Sequence, residues 1–305
     1  PSRFLGPPRI PGYKPKQAGR VLLTYTDQAI SRPALRGGLI HPSGLDIRIP
    51  TTHRDIRQVR IVPRRGFYVV EVVYLVKVQP NPALNPDWAA GVDMGVDALM
   101  TIAANKPGFQ PLIVKGRPLK AINQFYNKQK AELQAHLPAN QKTSARIYRL
   151  GRVRDGRITH YLHVASRRIV DHLVAEGIGT LVIGKNDFWK QAVNLGDRNN
   201  QNFVQLPLAR LIEMVTSKAQ LAGMVVRHEG ESYTSKCSFL DLEEIGKQAV
   251  YLGRRLTRSL FRAADGRTIH ADVNAAYNIL RKAIPTAFAN GIEGVVVRPR
   301  RLTPV

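Results

Sequence analysis

Two aspartates far apart in this 305-residue chain are the residues best placed to do chemistry. The first, Asp93, lies in the segment WAAGVDMGVDAL at 88–99, between two glycines. In that segment Val92, Met94 and Val96 alternate with other residues, which predicts a strand with Asp93 on the opposite face. A carboxylate on a core strand is costly unless a cation or hydrogen bonds compensate it. The simpler alternative is an acid in a hairpin near a glycine turn.

The second acid, Asp272, stands in HADVNAAYNIL just before a predicted helix with an apolar face of alanine, isoleucine and leucine. By itself Asp272 is most simply a helix N-cap. A strand acid combined with an acid that opens a late helix, in a very basic chain, indicates a metal-dependent nuclease of the ribonuclease H type. Such nucleases hold divalent metal ions with carboxylate oxygens.

GVDMGVDALM and HADVNAAYNIL resemble the first and last RuvC motifs of the TnpB family. TnpB proteins are transposon-encoded, RNA-guided nucleases related to the type V CRISPR effectors. The resemblance continues in the same order through IPGYKPKQAGR, QVRIVPRRGFYVVEVVY, IGTLVIGKN, NLGDRNNQNF and ESYTSKCSFLD, and so covers nearly the whole chain. It implies an RNA-guided, Mg²⁺-dependent endonuclease that cleaves a double-stranded DNA target next to a short transposon-associated motif. Guide RNA is then both a partner and a cofactor.

The resemblance also implies the fold class and domain boundaries. We expect an α/β, ribonuclease-H-like (RuvC) domain over 88–305, with a helical insertion, preceded by a small β-rich wedge domain over 1–80. The segment 81–87 is rich in proline and predicts a linker. Family members carry an N-terminal strand and a helical recognition lobe before the point where this sequence opens. We therefore expect that region to be naturally absent or missing from the sequence.

The third metal-binding carboxylate departs from the family pattern. Most relatives have a glutamate at the end of the strand that matches LVIG, where this chain has Gly184. The segment ESYTSK resembles a subgroup in which a glutamate ahead of YTSK takes that role, so Glu231 is the first candidate. Glu229 is held in reserve, because strand alternation puts it on the same side as Glu231, and Asp187 is a weaker candidate. With Asp93 and Asp272, Glu231 would complete a two-metal Mg²⁺ site.

Other interpretations stay open. Both glutamates are also consistent with solvated residues at a strand end, and the protein would then be a nuclease-inactive, RNA-guided DNA-binding protein. Inactive relatives usually lose an aspartate as well, whereas this chain keeps both. A DDE-type transposase also uses acidic residues and metal, but the order of meander, GKN strand and HADVNAA helix argues against it.

A four-cysteine zinc ribbon is expected in related nucleases between the YTS segment and the last motif. This chain has one cysteine, Cys237, with Arg262 and Asp265 where the second cysteine pair would fall. His228 and His270 could join Cys237, but three scattered ligands make a poor zinc site. We predict no zinc, no disulfide, and a degenerate ribbon-like insertion at 232–269 that packing or RNA must hold.

The charge balance indicates the partner. Lys+Arg 46 against Asp+Glu 22 gives a net charge of +24 and a sequence pI near 10.7, which favours nucleic acid, because each neutralised phosphate releases counterions. A membrane is a weaker alternative, since no basic amphipathic helix and no long apolar run stand out. We expect a soluble prokaryotic protein in the cytoplasm, associated with the nucleoid. A hydrophobic fraction of 44% is enough for a real core.

Several elements would carry the nucleic-acid contacts. Runs such as VLLTYT, LDIRIP and QVRIVPRRGFYVVEVVY predict strands, the last of them a hairpin turning at PRRG. The segment 118–176 predicts helices, interrupted near 137–139, that form a basic lid over a nucleic-acid strand. A hairpin tip, helix propensity or a polar surface loop explain the same residues without any ligand. The candidates are Arg60, Arg64, Arg65, Lys128, Arg146, Arg149, Arg152, Arg167, Asn199, Asn200 and Tyr233.

The remaining elements complete the expected sheet. IGTLVIGKN predicts a buried parallel strand, LPLARLIEMVTSKAQLAG an amphipathic helix, and MVVRHE the next strand. Trp189, Tyr233 and Phe239 are candidates either for stacking on an unpaired strand or for the core. Residues 239–269 predict irregular structure, 1–20 an extended basic arm, and VVVRPRRLTPV an unstructured basic tail.

Overall fold

The computed structural model describes residues 20–64, 66–185 and 206–304. The chain divides into two compact units, Pro1–Lys77 and Val78–Val305, here called the N-terminal and the C-terminal unit. None of the described helices combines the length and the apolar composition that a membrane-crossing helix needs.

The N-terminal unit is a small β structure. Its elements are β1 (Leu23–Thr26), a 3-10 turn (Asp27–Ala29), α1 (Arg32–Arg36), β2 (Leu39–Ile40), β3 (Ile49–Pro50), β4 (Ile56–Arg64) and β5 (Phe67–Tyr74). The strands β1, β4 and β5 form an antiparallel sheet in that order. The hairpin β4–β5 is the one that the PRRG turn predicts, and Gly66 closes it with a φ of +78° that favours glycine. Ile30, Ile40, Ile56 and Val59 form its buried core.

The C-terminal unit is built around a six-stranded mixed sheet. Its elements are β6 (Asn85–Met94), β7 (Ala98–Ala104), β8 (Leu112–Lys115), α2 (Arg117–Ala135), α3 (Ala145–Ala175), β9 (Ile178–Lys185), α4 (Leu208–Leu221), β10 (Val225–Gly230), β11 (Arg254–Arg255), β12 (Leu260–Arg262), β13 (Thr268–His270), α5 (Ala271–Ala283), a 3-10 turn (Pro285–Phe288) and β14 (Arg300–Leu302). The strand order is β10-β9-β6-β7-β8-β14. The strands β6, β7 and β8 form an antiparallel meander, whereas β9 runs parallel to both β6 and β10. The predicted α/β, ribonuclease-H-like class is confirmed.

The two faces of this sheet carry different layers. Val92 and Ile183 face a large apolar cluster that includes residues of α3 and α4, such as Leu173 and Leu211. The opposite face packs against α5. On that face Gly91 lets the helix come close, since a Cβ there would collide with the carbonyl oxygen of Ala276. The absence of a side chain at Gly91 therefore allows α5 to lie directly against β6, the strand that carries Asp93.

Four details of the sequence prediction are wrong. Strand β6 begins at Asn85, inside the predicted linker, because the Asn85 N–H donates to Gly177 O at 2.7 Å. Val96 lies in the turn between β6 and β7, so the strand predicted for 88–99 is interrupted there. The segment 239–269 contains an antiparallel three-stranded sheet rather than irregular structure alone. The tail forms β14, which pairs in parallel with β8 and whose Arg300 N–H donates to Pro111 O at 2.8 Å.

Candidate active site and nucleic-acid interface

Asp93 is the next-to-last residue of β6 and points to the α5 side of the sheet. Its neighbour across the ladder is Thr101 of β7. Burial of the Asp93 carboxyl is the main cause that raises its pKa well above the ordinary value. The negative charges of Glu231 and Asp272 raise this pKa further, and the guanidinium of Arg255 acts in the opposite direction. Asp93 is thus a desolvated carboxyl that two other carboxylates approach.

Asp272 lies in the first turn of α5, and the prediction that it is the N-cap is wrong. The N-cap is His270, whose Nδ1 accepts a hydrogen bond from the Asp272 N–H at 3.3 Å. Because another residue caps the helix, the Asp272 carboxylate is available for other contacts. Its Oδ1 accepts a hydrogen bond from Arg255 Nη2 at 3.0 Å.

Glu231 follows the last residue of β10, and its carboxylate lies against Gly184 of β9. A Cβ built at Gly184 would be 2.6 Å from Glu231 Oε1 and 2.7 Å from Ile279 Cδ1. Glu231 Oε1 is shielded from solvent. The carboxylate of Glu231 therefore occupies the space that a side chain at position 184 would need.

Glu229, the reserve candidate, has different surroundings. It is the register partner of Gly184 across the β9–β10 ladder. Its Oε1 lies 3.5 Å from Lys282 Nζ and accepts a hydrogen bond from the Gly230 N–H at 3.0 Å. The alternation expected to keep Glu229 and Glu231 on one side ends with β10 at Gly230. Among the described residues, the carboxylates that act on Asp93 are Glu231 and Asp272.

The three acids suit a hard cation, but their side chains are not arranged around one. Within 20–64, 66–185 and 206–304, no three His, Cys, Asp or Glu side chains are grouped as a metal-binding cluster. Arg255 supplies the positive charge beside Asp272 instead. The donor set still fits Mg²⁺, because it consists of carboxylate oxygens, one of them buried in the space above Gly184.

The insertion at 232–269 is attached to α5 by buried amide side chains. Asn274 accepts a hydrogen bond from the Phe239 N–H at 2.9 Å and donates to Cys237 O at 2.9 Å. Asn278 donates to Thr234 O at 2.9 Å and to Cys237 O at 2.7 Å. Both asparagines are fully buried. One face of α5 therefore satisfies the backbone carbonyls of the insertion.

A buried glutamate holds together the part of the same insertion between Ser238 and Leu252. Glu243 is 6% exposed, and its carboxylate accepts hydrogen bonds from the N–H groups of Ser238 and Leu252 at 2.6 and 2.9 Å. Arg281 of α5 donates to the carbonyl oxygens of Leu242 and Glu243 at 3.0 and 3.1 Å. These contacts hold this part of the insertion together and attach it to α5. The absence of zinc stays a prediction.

Two ion pairs link the insertion to residues near Asp93. Arg255 of β11 binds Asp272, as described above, and Arg258 pairs with Asp97 in the turn after β6. Lys120, in the first turn of α2, also pairs with Asp97. The insertion thus supplies one basic side chain to Asp272 and one to Asp97, and α2 supplies a second to Asp97.

The arginines of the first hairpin are engaged with one acid. Arg60 and Arg64 lie 2.9 and 3.4 Å from the Glu71 carboxylate across the β4–β5 ladder. Arg65 lies outside the described residues. Because Arg60 and Arg64 share a partly exposed partner, their net charge remains positive, and a role in phosphate contact stays a prediction.

The helical candidates lie on the exposed surface of α2 and α3. Arg167 forms an i,i+4 pair with Asp171 at 3.5 Å. The side chains of the others make no hydrogen bond or ion pair within the described part of the chain; they are Lys128, Arg146, Arg149 and Arg152. These cations are available to a polyanion, and their role also stays a prediction.

The loop candidates are partly outside the described residues. Tyr233, two residues after Glu231, is 39% exposed and has a φ of +65°, which is unusual for a residue with a side chain. Asp187, Trp189, Asn199 and Asn200 lie outside the described ranges. Phe239 belongs to the core, since it is fully buried and stacks on Tyr277 with ring centroids 4.3 Å apart.

Sequence reasoning missed three kinds of residue in this region. Arg255 and Arg258 belong to strand β11 and the turn after it, which have too few residues to show a period. Asn274 and Asn278 could have been found, because an i,i+4 amide pair on an otherwise apolar helix must meet polar partners. Phe125, an exposed aromatic on α2, carries no signal in the sequence alone.

Comparison with known proteins gives matches in the regions described above. A family model described as "Probable transposase" (OrfB_IS605) matches residues 71–189, and "Cas12f1-like, TNB domain" matches 209–279. The TnpB-like protein ORF457 of Acidianus two-tailed virus is 25% identical over 207 residues, which cover 64% of this chain and 42% of that protein.

Solved structures give weaker, fold-level similarity. A Cas12f1-sgRNA-target DNA complex matches with a TM-score of 0.49 and 16% identity over 72% of this chain and 55% of its own. A CRISPR-Cas12f ternary complex matches with a TM-score of 0.49 and 15% identity over 73% and 45%. The chain thus spans about half the length of the relatives it matches. The two family models and the viral relative show that the chain is similar to TnpB-family proteins and support its assignment to that family.

Proposed function

We propose that this chain is an RNA-guided, Mg²⁺-dependent DNA endonuclease that cuts target DNA next to a short transposon-associated motif. The observation that carries the proposal is the position of the Glu231 carboxylate, in the space left by Gly184. Asp93 and Asp272, the acids of the first and last RuvC-like motifs, are its electrostatic neighbours. A buried carboxylate beside two others is costly for a fold and is typical of a cation site.

Asp93, Glu231 and Asp272 are the residues that would hold Mg²⁺. When bound, a pair of such ions activates water for attack on the phosphodiester and stabilises the leaving oxygen. The protein fixes its ligands from three elements: the end of β6, the residue after β10 and the first turn of α5. The close packing of α5 over Gly91 holds the first and last of these elements together.

Guide RNA and double-stranded DNA are the proposed partners. The net charge of +24 and the exposed arginines of α3 support binding of a polyanion. In this class of nuclease the target sequence is read by base pairing with the guide, and the protein reads a short flanking motif. Zinc has no role in the proposal.

The test is a programmed cleavage assay. The protein is purified, its co-purifying RNA is sequenced, and a DNA target that matches the guide is incubated with Mg²⁺ or with EDTA. We expect a discrete transposon-end RNA and cleavage with Mg²⁺ only. Asp93→Ala and Asp272→Ala should each abolish cleavage while target binding is largely kept, because phosphate contacts elsewhere are untouched.

A nuclease-inactive, RNA-guided DNA-binding protein is the second candidate. The observation that favours it is that the acids of the described residues are not already grouped as a metal cluster. This alternative predicts guide-dependent target binding by the unmodified protein and no cleavage at any Mg²⁺ concentration. Cleavage that depends on Asp93 would exclude it.

A further inference from the structure

The helices α2 and α3 enclose an open groove of about 240 Å³. Its apolar lining includes Phe125 of α2 and Val153 of α3, which are 57% and 45% exposed. Its floor includes Tyr126, which is 9% exposed. An exposed phenylalanine in a concave surface costs solubility unless something covers it. The groove is therefore a candidate for a ligand that brings a flat apolar surface.

The charges around the groove define the chemistry of that ligand. Arg157 lies in the groove wall, and Arg146, Arg149 and Val153 share its face of α3 through spacings of three and four residues. The three arginine side chains make no hydrogen bond or ion pair with any other described residue. Lys128 follows Phe125 on α2 by one helical turn. The groove thus presents an apolar surface beside the cations of Lys128 and of these arginines. Such a surface fits a ligand with flat rings and regularly spaced negative charges.

Arg154, unlike the other arginines of the groove, is bound by neighbouring side chains. Its Nε donates to Asn123 Oδ1 at 2.8 Å, Nη1 pairs with Asp155 at 2.7 Å, and the guanidinium lies 5.5 Å from the centroid of the Tyr126 ring. These contacts fix the groove wall. Arg154 is therefore held in the groove wall by contacts within the protein.

We propose that this groove binds unpaired nucleotides of a DNA strand, with a base stacked on Phe125 and with phosphates held by the arginines of α3. Base stacking on an exposed aromatic needs a base that is not inside a duplex, so the ligand is single-stranded. A second copy of this chain is disfavoured, because its own groove would bring four like charges to the contact.

The position of the groove connects it to the candidate active site. Lys120 of α2 pairs with Asp97, which follows Asp93 by four residues. Phe125 lies five residues further along the same helix, about 8 Å along its axis. The N-terminal end of α2 therefore lies at the turn that follows Asp93, and the groove lies further along the same helix. The assignment to DNA rests on the proposed function, since the strand to be cut is DNA.

The test measures binding of a fluorescent oligo-dT of about 15 nucleotides to the full chain in EDTA, without guide RNA. Phe125→Ala should weaken binding by about 5- to 100-fold, the range seen when a base-stacking aromatic is removed. Phe125→Trp should keep the wild-type affinity. The matched control is Tyr148→Ala, which removes an aromatic that is 45% exposed on the other side of α3, outside the groove lining, and should change nothing.

Each contrary outcome overturns a defined part of the inference. Equal losses for Phe125→Ala and Tyr148→Ala, or no loss for either, would show that the groove is not the site. A Phe125-dependent preference for oligo-rU would replace DNA by RNA. Sedimentation that shows a dimer disrupted by Phe125→Ala, with oligo-dT affinity unchanged, would identify a second copy as the occupant. The oligo-dT binding assay contains neither guide nor metal. Failure of programmed cleavage would therefore contradict the proposed function and leave the result of the binding assay unchanged.

Discussion

Two regions of the C-terminal unit bury polar groups in opposite ways. One is the edge of the sheet near the end of β6, which carries Asp93, and the other is the insertion at 232–269. In the insertion, the buried side chains of Asn274, Asn278 and Glu243 are matched by backbone partners at 2.6–2.9 Å. At the sheet edge, burial raises the pKa of the Asp93 carboxyl, and the nearby carboxylates of Glu231 and Asp272 raise it further. Matched polar groups stabilise a fold, whereas a concentration of like charge destabilises it unless a cation is supplied.

From this difference we propose that the insertion serves structure and that the region of Asp93 serves chemistry. In the insertion, the amide side chains of Asn274 and Asn278 are hydrogen-bonded to the backbone, and the buried Ser238 Oγ is without a hydrogen-bond partner among the described residues. At the sheet edge, the carboxylates of Glu231 and Asp272 lie near that of Asp93. Arg255, from the insertion, offsets part of their negative charge by pairing with Asp272. Mutations at the two regions should therefore separate activity from stability.

The largest expected effect is the loss of cleavage in Glu231→Ala. Under the proposed function, removing one of the three proposed Mg²⁺ ligands should reduce RNA-guided cleavage by about a thousandfold or more, because transition-state charge loses its stabilisation. The matched control is Glu229→Ala, which removes an acid paired with Lys282 and should cut nearly normally. Rates are measured with excess protein over a guide-matched DNA target.

The reverse result would exchange the roles of the two glutamates. If Glu229→Ala is inactive and Glu231→Ala is active, the metal site stands with a different ligand. Normal cleavage by both single variants and by the double variant would remove position 229–231 from the site and make Asp187 the residue to test.

How much of this the sequence predicts depends on the length of each element. The strands β6, β9 and β10 and the helices α2 to α5 are long enough for an apolar pattern to appear, and they were predicted. The strands β11 to β14 have two or three residues each, so their pairing depends on neighbours that are distant in sequence. The basic segment of β14 shows no strand pattern, yet the free edge of β8 gives it backbone partners.

In the candidate site, too, residues with a local sequence pattern were predicted and residues that depend on distant contacts were not. Asp93 and Asp272 were predicted because each lies in a motif with its own local pattern. Arg255 was not, since it reaches Asp272 only through the folding of the insertion. That Glu231 lies over Gly184 depends on where β10 ends, which strand alternation alone misjudges.

A smaller effect is expected at the position that faces Glu231. Gly184→Ala places a Cβ 2.6 Å from Glu231 Oε1 and 2.9 Å from Val92 O, so the carboxylate must move and the strand must adjust. Cleavage should fall by roughly tenfold to a hundredfold, while guide and target binding change little. Gly179→Ala on the same strand is the matched control for strain alone, because its contacts are with Asn85 and Pro86 rather than with an acid.

The variant Gly184→Glu/Glu231→Ala sharpens the same comparison. It places a carboxylate at position 184 of β9 and removes the side chain of Glu231, which would otherwise occupy the same space. We expect partial recovery of cleavage relative to Glu231→Ala, limited by the contact with Val92 O. No recovery, together with a normal melting temperature, would argue that the carboxylate must come from the residue after β10.

The insertion should respond in stability rather than in chemistry. Asn278→Ala removes the side-chain donor to the carbonyl of Thr234, whereas the carbonyl of Cys237 keeps its hydrogen bond from Asn274. We expect a loss of about 1–3 kcal/mol in the free energy of unfolding, because a buried carbonyl left unpaired keeps its desolvation cost. Urea unfolding measures it, with the exposed Asn290→Ala as the control. A loss equal to that of the control would show that the hydrogen bonds of Asn278 do not hold the insertion.

The smallest expected effect is that of a chelator on the same insertion. If the asparagines of α5 and Glu243 hold residues 232–269, EDTA should leave the melting temperature of the purified protein unchanged, and metal analysis should find no stoichiometric zinc. A structural zinc site contributes its binding free energy directly to folding, so its removal would be conspicuous. Tightly held zinc that EDTA removes, with a large fall in melting temperature, would show that Cys237 has ligands beyond the described contacts. In that event the hydrogen bonds of Asn278 would be an addition to a metal site, and Asn278→Ala should then cost much less than predicted once zinc is bound.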